Sequence, residues 1–223
     1  MCVLTDQQAL GKNEENEGKK LVDAALENGV SHFVYTSADR GVNSDNDPTN
    51  VPHFITKHNI EKHLVARSNG RNMTWTILRP VAFFDNLTPD FFGKVFTTSW
   101  LLRSGGQKSL QFVATSDVGH FAAQAFLKAE SEEYLNKSIS LAGDELSFDE
   151  MKTIFEQKTG EQLPTTYLSV ARILNWMSHE LGYMFKWFRD VGFGVDFASL
   201  KRANPGMKDF GTWLETESAW KKG

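Results

Sequence analysis

Cysteine is nearly absent from this 223-residue chain, with Cys2 as the single thiol. No internal disulfide can form, which excludes a disulfide-stapled scaffold and points to a reducing compartment, the cytoplasm or the nucleus. Long apolar runs are missing too. Nothing approaches the ~20 residues of a membrane-spanning helix, and Met1 to Asp6 lacks the basic and apolar regions of a secretory leader, so no membrane contact is expected. Basic runs are missing: Lys201-Arg202 and Lys221-Lys222 are only pairs, and the formal net charge is -4. Direct nucleic-acid binding, which draws its affinity from a basic stripe, is therefore not expected. None of the 17 glycines builds a G-x-G-x-x-G phosphate-binding turn. Gly192-Phe193-Gly194 comes nearest, but it lacks the third glycine and follows a helical stretch.

A metal centre is not expected either. His53, His58 and His63 are five residues apart, which turns each by ~140° around a helix of 3.6 residues per turn. His179-Glu180 lacks the second histidine of H-E-x-x-H.

What is present is a regular alternation. Residues 15–27 read as a helix with Leu21, Val22, Ala25 and Leu26 on one face, closed by Asn28-Gly29. Residues 31–36 (SHFVYT) read as a strand, and 37–52 as a polar loop. A helix follows over 54–67, ended by Gly70, then a strand over 73–78 stopped by Pro80. A helix over 90–102, a turn at Gly105-Gly106, a strand over 109–114, a helix over 117–129 capped by Ser116 or Asp117 and a strand over 137–141 continue the pattern. Ser147 and Glu150 form a capping box for the next helix. Asp144, Glu145, Asp149 and Glu150 read together as its solvated acidic start. Strands alternating with helices predict βαβ units and a mostly parallel sheet. Beyond Pro164 the chain predicts one long helix over 170–189, whose stripe of Ile173, Trp176, Met177, Leu181, Met184, Trp187 and Phe188 is either core or a docking face. Short helices over 198–202 and 210–217 complete the chain.

The stretch VPHFITKHNIEKHL (51–64) carries the chemistry. Short-chain dehydrogenases present Tyr-x-x-x-Lys on a helix, where a four-residue spacing puts both side chains on one face. The lysine holds the nicotinamide ribose and lowers the tyrosine's pKa, so that the phenol exchanges a proton with substrate. Here Lys57 is in place, but the residue four before it is His53.

Together with the blocks GKKLVDAALENGVSHFVYTS, ILRPVAFFDNL, SDVGHFAAQAFL, LAGDELSFDEMKTIFEQKTG and NPGMKDFGTWL, this stretch resembles the NmrA-like family of atypical short-chain dehydrogenases, its fungal members in particular. The resemblance implies an α/β fold: an incomplete Rossmann-like parallel sheet whose first βαβ units are missing, over residues 1–143, with a smaller, mainly helical lobe over 144–223 for substrate or partner. It implies NADP or NAD as cofactor, with Thr36 and Ser37 at a strand end beside it, Lys57 at the nicotinamide ribose, and Phe83, Phe84, Asp85 and Asn86 in the loop at the nicotinamide end. Lys57 and His53 are the candidate catalytic residues. Ser37 reads as a loop-capping hydroxyl before it reads as a catalytic one.

At ~30 residues per βαβ unit, roughly 60–80 residues of fold are expected to be missing before Thr5. A shortened gene product, a naturally short protein with weakened cofactor binding, and another fold for which the leading segment is dispensable all remain open. The expected function is an NAD(P)-binding redox sensor or regulator with a protein partner and no classical dehydrogenase activity. The alternatives are an NAD(P)H-dependent oxidoreductase of fungal secondary metabolism that uses Lys57 on a small-molecule substrate, and an interaction module that binds no nucleotide and works through residues 170–217.

Overall fold

The computed structural model describes residues 2–5, as backbone, and 13–221. Residues 6–12 lie outside the described residues, as does the side chain of Cys2. The chain forms two compact units, one of residues 1–80 and 118–141, the other of residues 81–117 and 142–223.

The first unit is a parallel sheet in the order β1 (Cys2–Thr5), β2 (His32–Thr36), β3 (Thr74–Pro80), β6 (Lys137–Leu141). Parallel strands need crossovers, which α1 (Glu14–Glu27) and α2 (Pro52–Ser68) supply. The two helices pack on each other, and Gly18 permits this: a Cβ there would lie 2.5 Å from Ile60 Cδ1. Their apolar stripes meet the sheet in a core of Val22, Ala25, Ile60 and Leu64 against Phe33, Tyr35 and Ile77. Pro52 opens α2 at the position where a missing N–H costs nothing. Pro80 does not stop β3 but ends it from within, since its carbonyl accepts from Asp39 N at 2.9 Å. A proline at a strand's last position gives up only a donor.

The second unit holds a three-stranded sheet in the order β4 (Ala82–Phe83), β5 (Leu110–Val113), β7 (Asp144–Leu146). β4 and β7 are short and had no periodic signal. Asp144 and Glu145, read as the start of a helix, belong instead to β7, which runs antiparallel to β5. The Asp144 carboxylate accepts from Phe210 N at 3.1 Å, at the start of the final helix. The helices of this unit are α3 (Phe91–Ser104), α5 (Phe148–Thr159), α6 (Leu168–Met177), α7 (His179–Asp190), α8 (Phe197–Ala203) and α9 (Phe210–Thr216), and α4 (Thr115–Leu127) begins here.

The long helix expected over 170–189 is two helices. Ser178 breaks it: its backbone is extended, and its hydroxyl accepts from Leu181 N at 3.3 Å as the cap of α7. The apolar stripe divides accordingly. Phe185, Trp187 and Phe188 on α7 are buried, whereas Ile173, Trp176 and Met177 on α6 are exposed. Neither Ser116 nor Asp117 caps α4, because both lie inside it; the Thr115 N–H and hydroxyl instead donate to the Asp85 carboxylate, at 3.0 and 2.8 Å. The capping box of α5 is present, with Ser147 N donating to Glu150 Oε2 at 2.8 Å. Ser147→Ala is expected to lower stability by about 1 kcal/mol in urea denaturation, because one of the helix's first N–H groups loses its acceptor. Among the described residues, no helix is long and apolar enough to cross a membrane.

Candidate functional site

In an open parallel sheet, ligands bind beyond the carboxyl ends of the strands. In the first unit that edge carries a dense set of polar side chains. Thr36 closes β2 in register with Leu78, and Ser37 N donates to Leu78 O at 2.7 Å, so the chain leaves the strand still tied to β3. Asp39 and Arg40 follow, both buried. The Asp39 carboxylate accepts from Ser140 Oγ at 2.6 Å, near the end of β6, and from Gly41 N at 2.8 Å. Burial raises its pKa above the ordinary aspartate value, against the lowering effect of these hydrogen bonds.

Arg40 points back across α2. Its Nη1 and Nη2 donate to the two oxygens of Glu61 at 3.0 and 2.7 Å, and Nη2 also donates to Ser44 O at 2.7 Å. Arg79 of β3 grips the same carboxylate from its other side, through Nε at 3.1 Å and Nη2 at 2.6 Å, and reaches Asp45 at 2.8 Å. Glu61 thus accepts two forked guanidinium pairs in a buried place. Burial pushes its pKa up, but the hydrogen bonds from Arg40 and Arg79 outweigh that and hold it below the ordinary glutamate value. His58 lies beside Arg40, at 3.4 Å. Burial and the neighbouring guanidinium lower its pKa, so the ring stays neutral more readily than a free histidine. This network pins the loop after β2 to α2 and β3.

Lys57 stands one turn before Glu61 on α2, as the four-residue spacing requires. Its side chain is buried, and its ammonium donates to Glu14 Oε1 at 2.7 Å, at the first turn of α1. The other Glu14 oxygen accepts from Thr56 Oγ1 at 2.9 Å. His53 lies in the first turn of α2, half-buried, with its ring edge-on to Phe54 at 4.6 Å. His63 points elsewhere, to Asp23 at 3.0 Å.

In the second unit, Phe83 ends β4 half-buried, and a short 3-10 turn, Phe84–Asn86, follows. Phe84 is fully buried; its ring stacks on Phe112 at 5.5 Å and Trp213 at 5.6 Å and touches Phe210 at 5.5 Å. Asp85 and Asn86 are exposed, and Asp85 is fixed by its bonds to Thr115.

The structure therefore brings Thr36, Ser37, His53 and Lys57 into one unit and Phe83, Phe84, Asp85 and Asn86 into the other. Sequence reasoning missed Glu14, Asp39, Arg40, Glu61 and Arg79. Two of them left a signal. Glu61 lies four residues after Lys57 and shares its face, and Arg79 is a charge inside an otherwise apolar strand, where an unpaired arginine would be too costly. Glu14, Asp39 and Arg40 lie in polar stretches that read as solvated.

The model of the family described as "NmrA-like family" matches residues 2–209. An NmrA-like family domain-containing oxidoreductase from Aspergillus hancockii is 27% identical over 165 residues, which cover 68% of this chain and 48% of that protein. A second protein of the same description, from Cladobotryum sp, is 28% identical over 172 residues, 70% of this chain and 50% of its own length. The chain thus spans about half the length of the curated relatives it matches. Among solved structures, the triphenylmethane reductase of Citrobacter sp., complexed with NADP(H), superposes with a TM-score of 0.65 at 16% identity, over 95% of this chain and 73% of that one. That likeness is one of fold, and with the family match over nearly the whole chain it leads to a plain conclusion: the protein belongs to the NmrA-like family.

Proposed function

We propose that the protein binds NADP or NAD and works as a redox sensor or regulator, without the tyrosine-dependent proton transfer of a classical dehydrogenase. The observation that carries this reading is the state of the Lys57 face: the lysine is kept and held by Glu14 at 2.7 Å, while the position four residues earlier offers His53 instead of a phenol. An ammonium has three N–H donors. Glu14 takes one, which leaves donors for ribose hydroxyls, so the residues present fit the nicotinamide end of a dinucleotide. Nothing in the chain offers the glycine-rich turn for its pyrophosphate.

In this reading Lys57 orients the ribose, and Thr36 and Ser37 contribute at the strand end. The buried Arg40–Glu61–Arg79 network keeps that strand end and α2 in fixed register. Phe83, Asp85 and Asn86 keep the role implied by the resemblance, whereas Phe84 serves them from the core. The nicotinamide group, when bound, supplies hydride chemistry. Partner choice by a redox sensor would follow from different affinities for the oxidised and reduced cofactor, since a ligand shifts a conformational balance only through such a difference.

Calorimetric titration with NADPH and NADP+ tests the proposal. Saturable binding of at least one of them is expected, without net consumption of NADPH. The double variant Lys57→Met with Glu14→Gln, which avoids stranding a buried carboxylate, should bind about 10- to 100-fold more weakly, the size of a lost charged hydrogen bond. No binding of either nucleotide would overturn the reading.

A second reading is favoured by the names of the curated relatives, which are oxidoreductases. In an NAD(P)H-dependent reductase, Lys57 would position the cofactor, and His53, Ser37 or water would supply the proton. NADPH-linked turnover that disappears in the same Lys57 variant, with folding unchanged, would select this reading over the first.

A further inference from the structure

Between α6 and α7, where the last turn of α3 reaches them, the second unit contains a cavity of about 590 Å³. No carboxylate lines it, and Arg103, Arg172 and Lys186 do. None of these three forms an ion pair with a described carboxylate, whereas Arg189, which also lines it, is matched by Asp190 at 2.6 Å. Lys186 and Arg189 share the one charge of Asp190, and Arg103 and Arg172 have no ion-pair partner among the described residues, so the groove carries a net positive charge that an anion would balance.

The floor of the cavity makes the same demand in a different currency. Asn175 on α6 is 5% exposed, and among the described residues neither its amide nitrogen nor its oxygen has a hydrogen-bond partner. The Nε of Arg103 is likewise buried and unpartnered. A buried polar group left without a partner costs on the order of 1–3 kcal/mol, and native proteins rarely tolerate it where no ligand or water can complete it. α7 approaches this floor closely because of Gly182: a Cβ there would stand 2.5 Å from the Asn175 carbonyl oxygen. The wall is aromatic. Trp176 is 80% exposed and Tyr183 43% exposed, and both line the cavity. Exposed ring faces of this kind stack on planar groups.

From these observations we infer that the groove is a binding site for a small anion with a planar, apolar body, an aromatic carboxylate being the simplest example. Its carboxylate meets Arg172, Lys186 and Arg103 and accepts from the Asn175 amide nitrogen, and its ring lies against Trp176. The volume is in the range of small-molecule sites, which favours a compact ligand over an extended partner segment. The site is separate from the turn Phe84–Asn86: Arg103 stands at the far end of α3, roughly 20 Å along the helix from Asp90.

Calorimetry with 1-naphthoate and with its neutral counterpart 1-naphthalenemethanol tests this. Naphthoate is expected to bind saturably, and the alcohol about tenfold more weakly or less, as expected when a charged hydrogen bond is lost. The double reversal Arg172→Glu with Lys186→Glu, at two exposed positions, should abolish naphthoate binding with the fold intact. Asn175→Leu should weaken binding while leaving the melting temperature unchanged or raised, because an unpartnered amide is removed. Equal affinity for both probes, indifference to the charge reversal, or no saturable binding of naphthoate would each overturn the proposal. So would displacement of naphthoate by NADPH, because that result would merge this groove with the nucleotide site.

Discussion

Glu61→Gln is expected to lower the stability of the protein by about 3–5 kcal/mol, the cost of breaking a buried ion-pair network by removing one partner. The carboxylate stands between two guanidiniums, and both Arg40 and Glu61 are buried side chains. The amide offers one acceptor oxygen in place of two, and its NH2 group faces an arginine donor. Two buried positive charges are left with Asp45, which is itself exposed, and with the charge of nearby Asp39, which makes no ion pair with them among the described residues. Urea denaturation followed by circular dichroism measures the loss. A control separates specific from general effects: replacing Arg40, Glu61 and Arg79 together by apolar residues of similar volume should cost far less than the single change, because no buried guanidinium is stranded.

The same network sets a pH dependence. The folded-state pKa of Glu61 lies below its ordinary value of 4.5. Its stabilising contribution is therefore fully present above pH 4.5 and is lost as the pH falls through the lower folded-state value. His58 acts in the same direction at milder pH. Its folded-state pKa lies below 6.5, so its contribution is complete above 6.5 and declines as the pH falls beneath it. Asp39 opposes both. Its raised folded-state pKa gives a contribution that is full below 3.8 and is lost as the pH rises through the higher folded value. Denaturation midpoints should thus begin to fall below pH 6.5 and fall further below pH 4.5, and in Glu61→Gln the second decline should be shallower.

Phe84→Ala is expected to cost about 3–5 kcal/mol as well, for a different reason: a large aromatic side chain leaves a cavity that its neighbours cannot fill. Phe84 has no exposed surface and sits among Phe112, Phe210 and Trp213. Phe84→Leu, which keeps most of the volume, should cost about 1.5 kcal/mol or less. If Phe84 acts only from the core, Phe84→Leu will leave NADPH affinity close to that of the unaltered protein. A large loss of affinity without a matching loss of stability would mean that the ring meets the ligand directly.

The turn at Phe84 also shows why sequence reading reached some residues and not others. ILRPVAFFDNL offers two adjacent phenylalanines, and no local rule distinguishes them. In a short strand followed by a turn, one ring goes inward and the other toward the surface; the choice depends on Phe112, Phe210 and Trp213, which lie far along the chain. Glu14 is a similar case. It falls just before the helix expected over 15–27, where it reads as one more solvated polar residue. Only the packing of α1 on α2 brings it to Lys57. The stripe 173–188 failed in a different way. Its 3.6-residue period runs continuously through Ser178, so periodicity alone joined two helices that the serine's capping geometry separates.

By itself, the sequence determined what depends on neighbours within about four residues: the alternation of strands and helices, the capping box of Ser147 and Glu150, the turn at Gly105-Gly106, and the shared face of His53 and Lys57. These are local because helix and strand periods, caps and turn conformations are satisfied by adjacent backbone groups. Tertiary structure alone decided which partners those faces meet: Glu14 for Lys57, Arg40 and Arg79 for Glu61, three aromatic rings for Phe84, and a basic groove around Asn175. Burial makes such pairings energetically decisive, and burial arises only when segments tens of residues apart close around one another.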